Sequence, residues 1–399
     1  MQQLAIHGGK PVREKPIYYG KQCIEQDDVD AVTATLLSDY ITCGPKVTEL
    51  EQALCEETGA KYAVVVSNGT AALHLAALAA GFKEGDEVIV SSITFAASAN
   101  CVLYCGAKPV FADINPQTYN IDPASVRKLI TSKTKGIVAV DFTGQAVELD
   151  EIRNICREHN LILIEDAAHA IGTKYKGQPV GSIADMTCFS FHPVKTITGG
   201  EGGAITTNDY QLYHKLMRLR THGITRHQEE MEHPTDAKWY NEQVELGYNY
   251  RMTDFQAALL LSQLRKLSRF SARRKELVEK YDKAFSEMPE IVIQKEIPES
   301  DTTRHLYILR LKPELLTCDR RQFFDALYAE NVCPQVHYMP VYYHSYYEKL
   351  GYQRGICPNA EKYYEEVMSI PLYPSLTEEE AQDVISAVKK VVQYYRKEI

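Results

Sequence analysis

The chain has a single tryptophan, no CxxC cysteine pair, no excess of basic charge and no long apolar run. Most of these absences close off a class of function. With 44 Lys and Arg against 53 Asp and Glu, the formal net charge is −9, which opposes a general nucleic-acid or anionic-membrane partner. A small anion stays possible, because a few local cations and helix ends can hold one. No 18-residue apolar run occurs, and the opening MQQLAIHGGKPVREK lacks the apolar core of a secretory signal. Neither a spanning segment nor export is therefore expected, and the expected location is the cytoplasm. The ten cysteines are scattered and read as small buried hydrophobes, not disulfides or zinc ligands. Cys101 and Cys105 would share a helix face, but no further ligand stands near them, so no metal is expected. Walker and Rossmann glycine patterns are missing too, since GGEGG (199–203) has neither spacing.

What is present is a pattern of alternation. At 399 residues and 45% hydrophobic composition, the chain can bury a sizeable core in roughly two or three domains. Short apolar, β-branched runs at 62–67, 87–92, 109–114, 136–142, 161–167, 186–192 and 202–208 read as strands buried on both faces. Helical patterns such as AALHLAALAAGF and LDEIRNICREHN separate the earlier ones. This βαβα order predicts a mostly parallel seven-stranded sheet flanked by helices, with ligands at the carboxyl ends of the strands. After residue 253 one long helix is expected to run to about 285. Strands at 305–311 and 333–338 follow, and then a last helix whose Thr377 and Glu380 have capping-box spacing. The expected division is a large α/β domain, 1–262, and a smaller α+β domain, 263–399.

Four features collect at the strand ends. In SNGTAALH (67–74) a strand enters an alanine-rich helix, which fits an ordinary N-cap as well as a phosphate cradle with the Thr70 hydroxyl. In IEDAAH (164–169) Asp166 ends an apolar strand, where a carboxylate needs a cation or a ligand. His169 is three residues away. In FSFHPVKTITGGEGGA (189–204) a strand carrying Ser190 and His192 delivers Lys195 to a glycine-rich turn. Alone, such a lysine is usually a solvated one. GYNYRMTDFQAAL (247–259) places Asn249 and Arg251 in an aromatic-polar turn before a helix. One cofactor uses all of these together. Pyridoxal 5′-phosphate needs a lysine amine, a carboxylate opposite its ring nitrogen, a helix N-terminus with hydroxyls for its phosphate, and an apolar face. Phe95, in SSITFAAS, is a candidate for that face.

In this order, SNGTAALH, TFAASAN, EDAAHAIG, SFHPVKTITGGEGG and GYNYRMTD resemble the DegT/DnrJ/EryC1/StrS group of aminotransferases acting on nucleotide-linked keto-sugars. The resemblance runs from about residue 18 to the last helix and implies a fold-type I pyridoxal-phosphate-dependent transferase. It implies that Lys195 carries the cofactor and moves the substrate proton, and that Asp166 partners the ring nitrogen. It puts His169 beside the ring hydroxyl, where many members have glutamine, and Phe95 on the ring face. Gly69, Thr70, the Ala71 N–H and Ser190 match the phosphate contacts. Asn249 matches a residue reaching the phosphate from a second subunit, which implies a homodimer with shared sites. Lysine at 195, where related dehydratases carry histidine, implies transamination. The segments HGITR (222–226), WYNEQVELGYNYRMTD and QVHYMPVYYHSYYEKLGY resemble the branch serving pseudaminic acid biosynthesis. The implied reaction moves an amino group from L-glutamate to C4 of a UDP-4-keto-6-deoxy-N-acetylhexosamine. Tyr19, Thr42, Ser67, His192, His222, Arg226, His305 and Tyr307 are substrate-pocket candidates by the same matching, and any of them can simply pack. Two alternatives stand beside this: another nucleotide sugar such as a UDP-4-keto-arabinose, or a cofactor-fold binding protein without turnover.

Overall fold

The seven apolar runs form one sheet in the computed structural model, which describes residues 3–398. The first two residues of the expected large domain and the last of the small one lie outside it. The strands are β1 (Tyr62–Val66), β2 (Glu87–Ser91), β3 (Lys108–Ala112), β4 (Thr134–Val140), β5 (Ile162–Asp166), β6 (Met186–Ser190) and β7 (Gly203–Thr207), each within two residues of its expected span. Their order across the sheet is β1-β7-β6-β5-β4-β2-β3. β7 runs antiparallel to both of its neighbours, and every other pairing is parallel. Parallel neighbours require crossovers, and helices supply them.

These helices cover both faces of the sheet. One face packs on α3 (Gly69–Ala79), α4 (Ala97–Tyr104) and α7 (Tyr210–Arg220). The other packs on α2 (Pro45–Thr58), α5 (Pro123–Leu129), α6 (Leu149–His159) and α8 (Asp254–Leu264). The alanine content of α3 has a packing reason. Eight of its eleven residues are buried, and small side chains let a helix enclosed on several sides come close to the sheet.

The expected long helix is two helices, α8 and α9 (Leu267–Phe285). At the break, the Lys266 ammonium lies 2.7 Å from both Asp27 and Asp28 of helix α1 (Gln26–Leu36). A buried lysine tied to a neighbouring helix fixes the turn there, and residue periodicity alone does not register that tie. Beyond it, β8 (Ile291–Val292), β9 (Tyr307–Leu311) and β10 (Val367–Ile370) form an antiparallel sheet. The sheet shares a third core with α9, α10 (Arg320–Ala329) and the last helix α11 (Glu378–Tyr395). Leu4 and Ile17 also join this core, so the N-terminal arm packs on the smaller unit. The capping box of Thr377 and Glu380 opens α11 as its spacing predicts. The expected strand at 333–338 is corrected, because only Val332–Cys333 forms a strand there, paired with Ile17–Tyr18, while Gln335 makes a lone antiparallel bridge to Ser369. Pro334 has no N–H for a ladder, and the chain continues irregularly toward the carboxyl edge of the main sheet.

Candidate active site

A cavity of about 660 Å³ opens at the carboxyl ends of β5 and β6, between the starts of α3 and α4. β1 delivers Asn68, whose side chain caps α3 by accepting from the Ala71 N–H at 2.9 Å. Gly69 follows, and a Cβ there would stand 2.8 Å from Ser190 Cβ. Only glycine lets the first turn of α3 lie this close to the end of β6. Thr70 and Ser190 both line the cavity at that junction, where first-turn N–H groups and a positive helix end favour an anion. The expectation for Ala71 is corrected here, because its N–H is taken by the cap. Gly69, Thr70 and Ser190 remain at the junction as lining that an anion can meet.

Asp166 ends β5 and is 4% exposed. Its Oδ2 accepts from Ser98 Oγ at 2.6 Å and its Oδ1 from the Ala168 N–H at 3.1 Å. Burial raises its pKa, while Ser98, Ala168 and Lys195 pull it back down. Lys195 comes from the turn after β6, where its N–H donates to the His192 carbonyl at 2.9 Å. Burial brings its amine down to about 8, partly offset by Asp166. An amine brought this near to neutral pH can shed its proton far more readily than an ordinary lysine, and its neutral form is a nucleophile and proton carrier.

The opposite wall is a cluster of imidazoles and phenols. His169 Nε2 lies 3.3 Å from Tyr338 Oη, and the His169 and His305 rings are 4.5 Å apart. His337 Nδ1 meets Ser369 Oγ at 2.8 Å. Burial holds His169 and His305 well below the usual histidine range and brings His337 down to about 3. Burial thus favours the neutral imidazole at all three. Its Nδ1 is buried without a protein partner, free for a ligand at the position where the resemblance puts a ring hydroxyl. Tyr19 and Phe95 line the same space. An amine, a facing carboxylate, an anion cradle, an unpaired imidazole nitrogen and an aromatic face together fit pyridoxal 5′-phosphate.

The other expected residues divide by position. His192 and His305 line the cavity. Tyr307 does not: its hydroxyl donates to Asp282 at 2.8 Å and its ring packs on Tyr281 in the third core. Thr42 and Ser67 also lie outside the lining, Thr42 bridged to Thr253 and the Ser67 N–H donating to the Tyr250 carbonyl at 2.8 Å. Asn249 is bridged to Thr221 beside a second cavity of about 450 Å³, which His222, Arg226 and Arg251 line. Thr94, Ser98, His337 and Tyr338 also belong to the site; they lie within SSITFAAS and QVHYMPVYYHSYYEKLGY, but nothing in those segments singles them out. Ser98 reaches Asp166 across 68 positions, and the two aromatic residues arrive on irregular chain.

The comparisons agree with this geometry. The DegT/DnrJ/EryC1/StrS aminotransferase family matches residues 22–389. The UDP-4-amino-4,6-dideoxy-N-acetyl-beta-L-altrosamine transaminase of Campylobacter jejuni strain 81-176 is 40% identical over 384 residues, covering 96% of this chain and 99% of its own. The spore coat polysaccharide biosynthesis protein SpsC of Bacillus subtilis is 40% identical over 376 residues, covering 94% of this chain and 96% of its own. Among solved structures, Helicobacter pylori PseC, an aminotransferase involved in the biosynthesis of pseudaminic acid, superposes with a TM-score of 0.88 at 32% identity. The match covers 96% of this chain and all of that one.

Proposed function

The chain belongs to the DegT/DnrJ/EryC1/StrS aminotransferase family, and from that premise we propose that it transfers an amino group from L-glutamate to a UDP-linked sugar. The acceptor is C4 of a UDP-4-keto-6-deoxy-N-acetylhexosamine, and the product is UDP-4-amino-4,6-dideoxy-N-acetyl-β-L-altrosamine of pseudaminic acid biosynthesis. The observation that carries the reading is the meeting of Lys195 and Asp166 in one cavity with the Thr70–Ser190 cradle. When bound, pyridoxal phosphate supplies a carbonyl that condenses with amines and a ring that takes up the electron pair of a broken C–H bond. The chain's residues do the rest. Gly69, Thr70 and Ser190 hold the phosphate, and the Asp166 carboxylate keeps the ring nitrogen protonated. Neutral His169 serves the ring hydroxyl, and Phe95 covers one face. Lys195 Nζ, as a neutral amine, takes the α-proton of glutamate and later returns a proton to the sugar carbon.

The active unit in this proposal is a homodimer. Asn249 does not line its own chain's cavity, and Trp239 and Leu246, on the segment leading to it, are 82% and 79% exposed. Large exposed apolar groups near that segment support a second copy seated there, so that Asn249 and the second cavity's His222 and Arg226 serve the other copy's site. We place the division between the two units at the α8–α9 break, with the N-terminal arm on the smaller one. Among the described residues no helix is long and apolar enough to cross a membrane.

The test is a panel of UDP-4-keto sugars offered to purified protein with L-glutamate and pyridoxal phosphate. Preferential amination of the N-acetyl-6-deoxy hexose is expected. Preference for another sugar moves the assignment elsewhere in the family, a reading that equal identity to SpsC keeps in view. A protein that develops no visible cofactor absorbance sinks the reading altogether.

A further inference from the structure

A carboxylate shut away from water reverts to the neutral acid unless donors are aimed at it. Asp166 has two, the Ala168 N–H and the Ser98 hydroxyl, and Ser98 makes the shorter contact. Ser98 lies in the first turn of α4 and is fully buried. Its Oγ is 2.7 Å from Thr94 Oγ1, which is buried beside the cavity. Charge fixes the direction of this chain of hydroxyls. An ionised carboxylate only accepts, so Ser98 gives its one proton to Asp166, and Thr94 must give its own to Ser98. Two hydroxyls in series, each polarising the next, form a stronger donor than one alone.

We propose that Ser98 is a positioning residue for the transamination, holding Asp166 ionised and aimed at the cavity, with Thr94 setting the direction of the Ser98 hydroxyl. This rests on the reading of Asp166 as partner of a ring nitrogen. A neutral acid at that position no longer holds the ring proton by charge, and the electron sink weakens. The other titratable groups whose fields reach Asp166 are Cys101 on α4, Asp141 at the end of β4, Cys188 on β6, Lys195 and Tyr338. Burial keeps both thiols and the phenol neutral, and Ser98→Ala leaves all five in place. A change in Asp166 after that substitution therefore reports the lost hydroxyl.

The experiment compares wild type with Ser98→Ala, Ser98→Thr and Thr94→Val. In cofactor-free protein labelled at aspartate with carbon-13, Asp166 is expected to titrate at higher pH in Ser98→Ala and to return toward wild type in Ser98→Thr. In the loaded enzyme, losing a hydrogen bond to a charged group should lower kcat about tenfold with little change in KM for glutamate. Thr94→Val should move both readouts the same way by less, and it keeps the test alive if Ser98→Ala does not fold. An Asp166 titration unmoved by either alanine or valine overturns the inference, and so does a failure of Ser98→Thr to restore it. If wild type neither binds pyridoxal phosphate nor transaminates, the functional reading fails instead, while the carboxyl titration still decides the role of Ser98.

Discussion

Glu165 and Asp166 are adjacent residues of one strand, and alternation sends their side chains to opposite faces of the same sheet. Asp166 faces the cavity with Ser98, Lys195 and His169 around it. Glu165 faces the closed core and is fully buried, with Oε2 accepting from Thr187 Oγ1 at 2.8 Å. Its companion is Asp141, also fully buried, whose Oδ1 accepts from the Val147 N–H at 2.9 Å. The remaining oxygens, Asp141 Oδ2 and Glu165 Oε1, are buried without a hydrogen-bond partner, and each carboxyl acts on the titration of the other. Burial raises both, with Asp141 held well above the usual carboxylate range and Glu165 brought to about 7. Burial, and after it the Glu165 charge, favours a proton held on Asp141. The contrast teaches that burial alone does not mark a reactive carboxylate. A nearby cation and an opening to a ligand do, and only Asp166 has them.

The largest effect on turnover is expected from Lys195→Met. Removing the amine should lower transamination by about 10,000-fold or more. The same change should stabilise the cofactor-free protein. Lys195 titrates at about 8 when folded and at about 10.5 when unfolded, so below pH 8 both states hold the proton and the folded state bears the burial cost. Stability of the wild type rises with pH between 8 and 10.5, where only the unfolded state still holds it. Lys195→Met should lose that slope and gain about 3 kcal/mol at pH 7, by the worth of a pKa unit. Denaturant melts of both proteins at pH 7 and pH 10 measure this, and equal stability at pH 7 would contradict the burial argument.

Glu165→Ala should do the opposite. It leaves the Thr187 hydroxyl without its acceptor and opens a hole beside Asp141 in the core, and should cost about 3 kcal/mol. Turnover per folded molecule and the visible absorbance of bound cofactor should stay close to wild type. A large loss of kcat in the folded fraction would show that the closed face takes part in the chemistry.

This contrast also bounds what the sequence reveals. The seven strands are legible because β-branched runs of strand length between helical patterns have few other readings. Lys195, Asp166, Thr70 and Ser190 are legible because each sits where its strand ends. What the run IEDA leaves out is the fate of Glu165, whose burial on the closed face follows from alternation and the packing behind the sheet. The Ser98–Asp166 contact and the approach of His337 and Tyr338 come from tertiary packing, which local periodicity does not encode. The break at Lys266 escapes periodicity for the same reason, since its cause is two aspartates on α1.

Asp141→Asn should disturb the reaction least and test the closed face most sharply. An asparagine amide stands in for the protonated acid, accepting from Val147 through its oxygen and able to donate through its nitrogen. Turnover should be unchanged. Stability should differ in its pH dependence. The wild-type folded state keeps a proton on Asp141 that the unfolded chain loses above its ordinary value of 3.8. Where the folded state binds more protons, stability falls as pH rises, by about 1.4 kcal/mol per pH unit for a single proton. Asparagine carries no such proton, so its stability relative to wild type should increase steadily from pH 4 upward until Asp141 itself ionises. Melts across pH 4 to 8 read this directly. A difference independent of pH would mean that the two carboxyls share no proton, and the distinction between the faces of β5 would then need another cause.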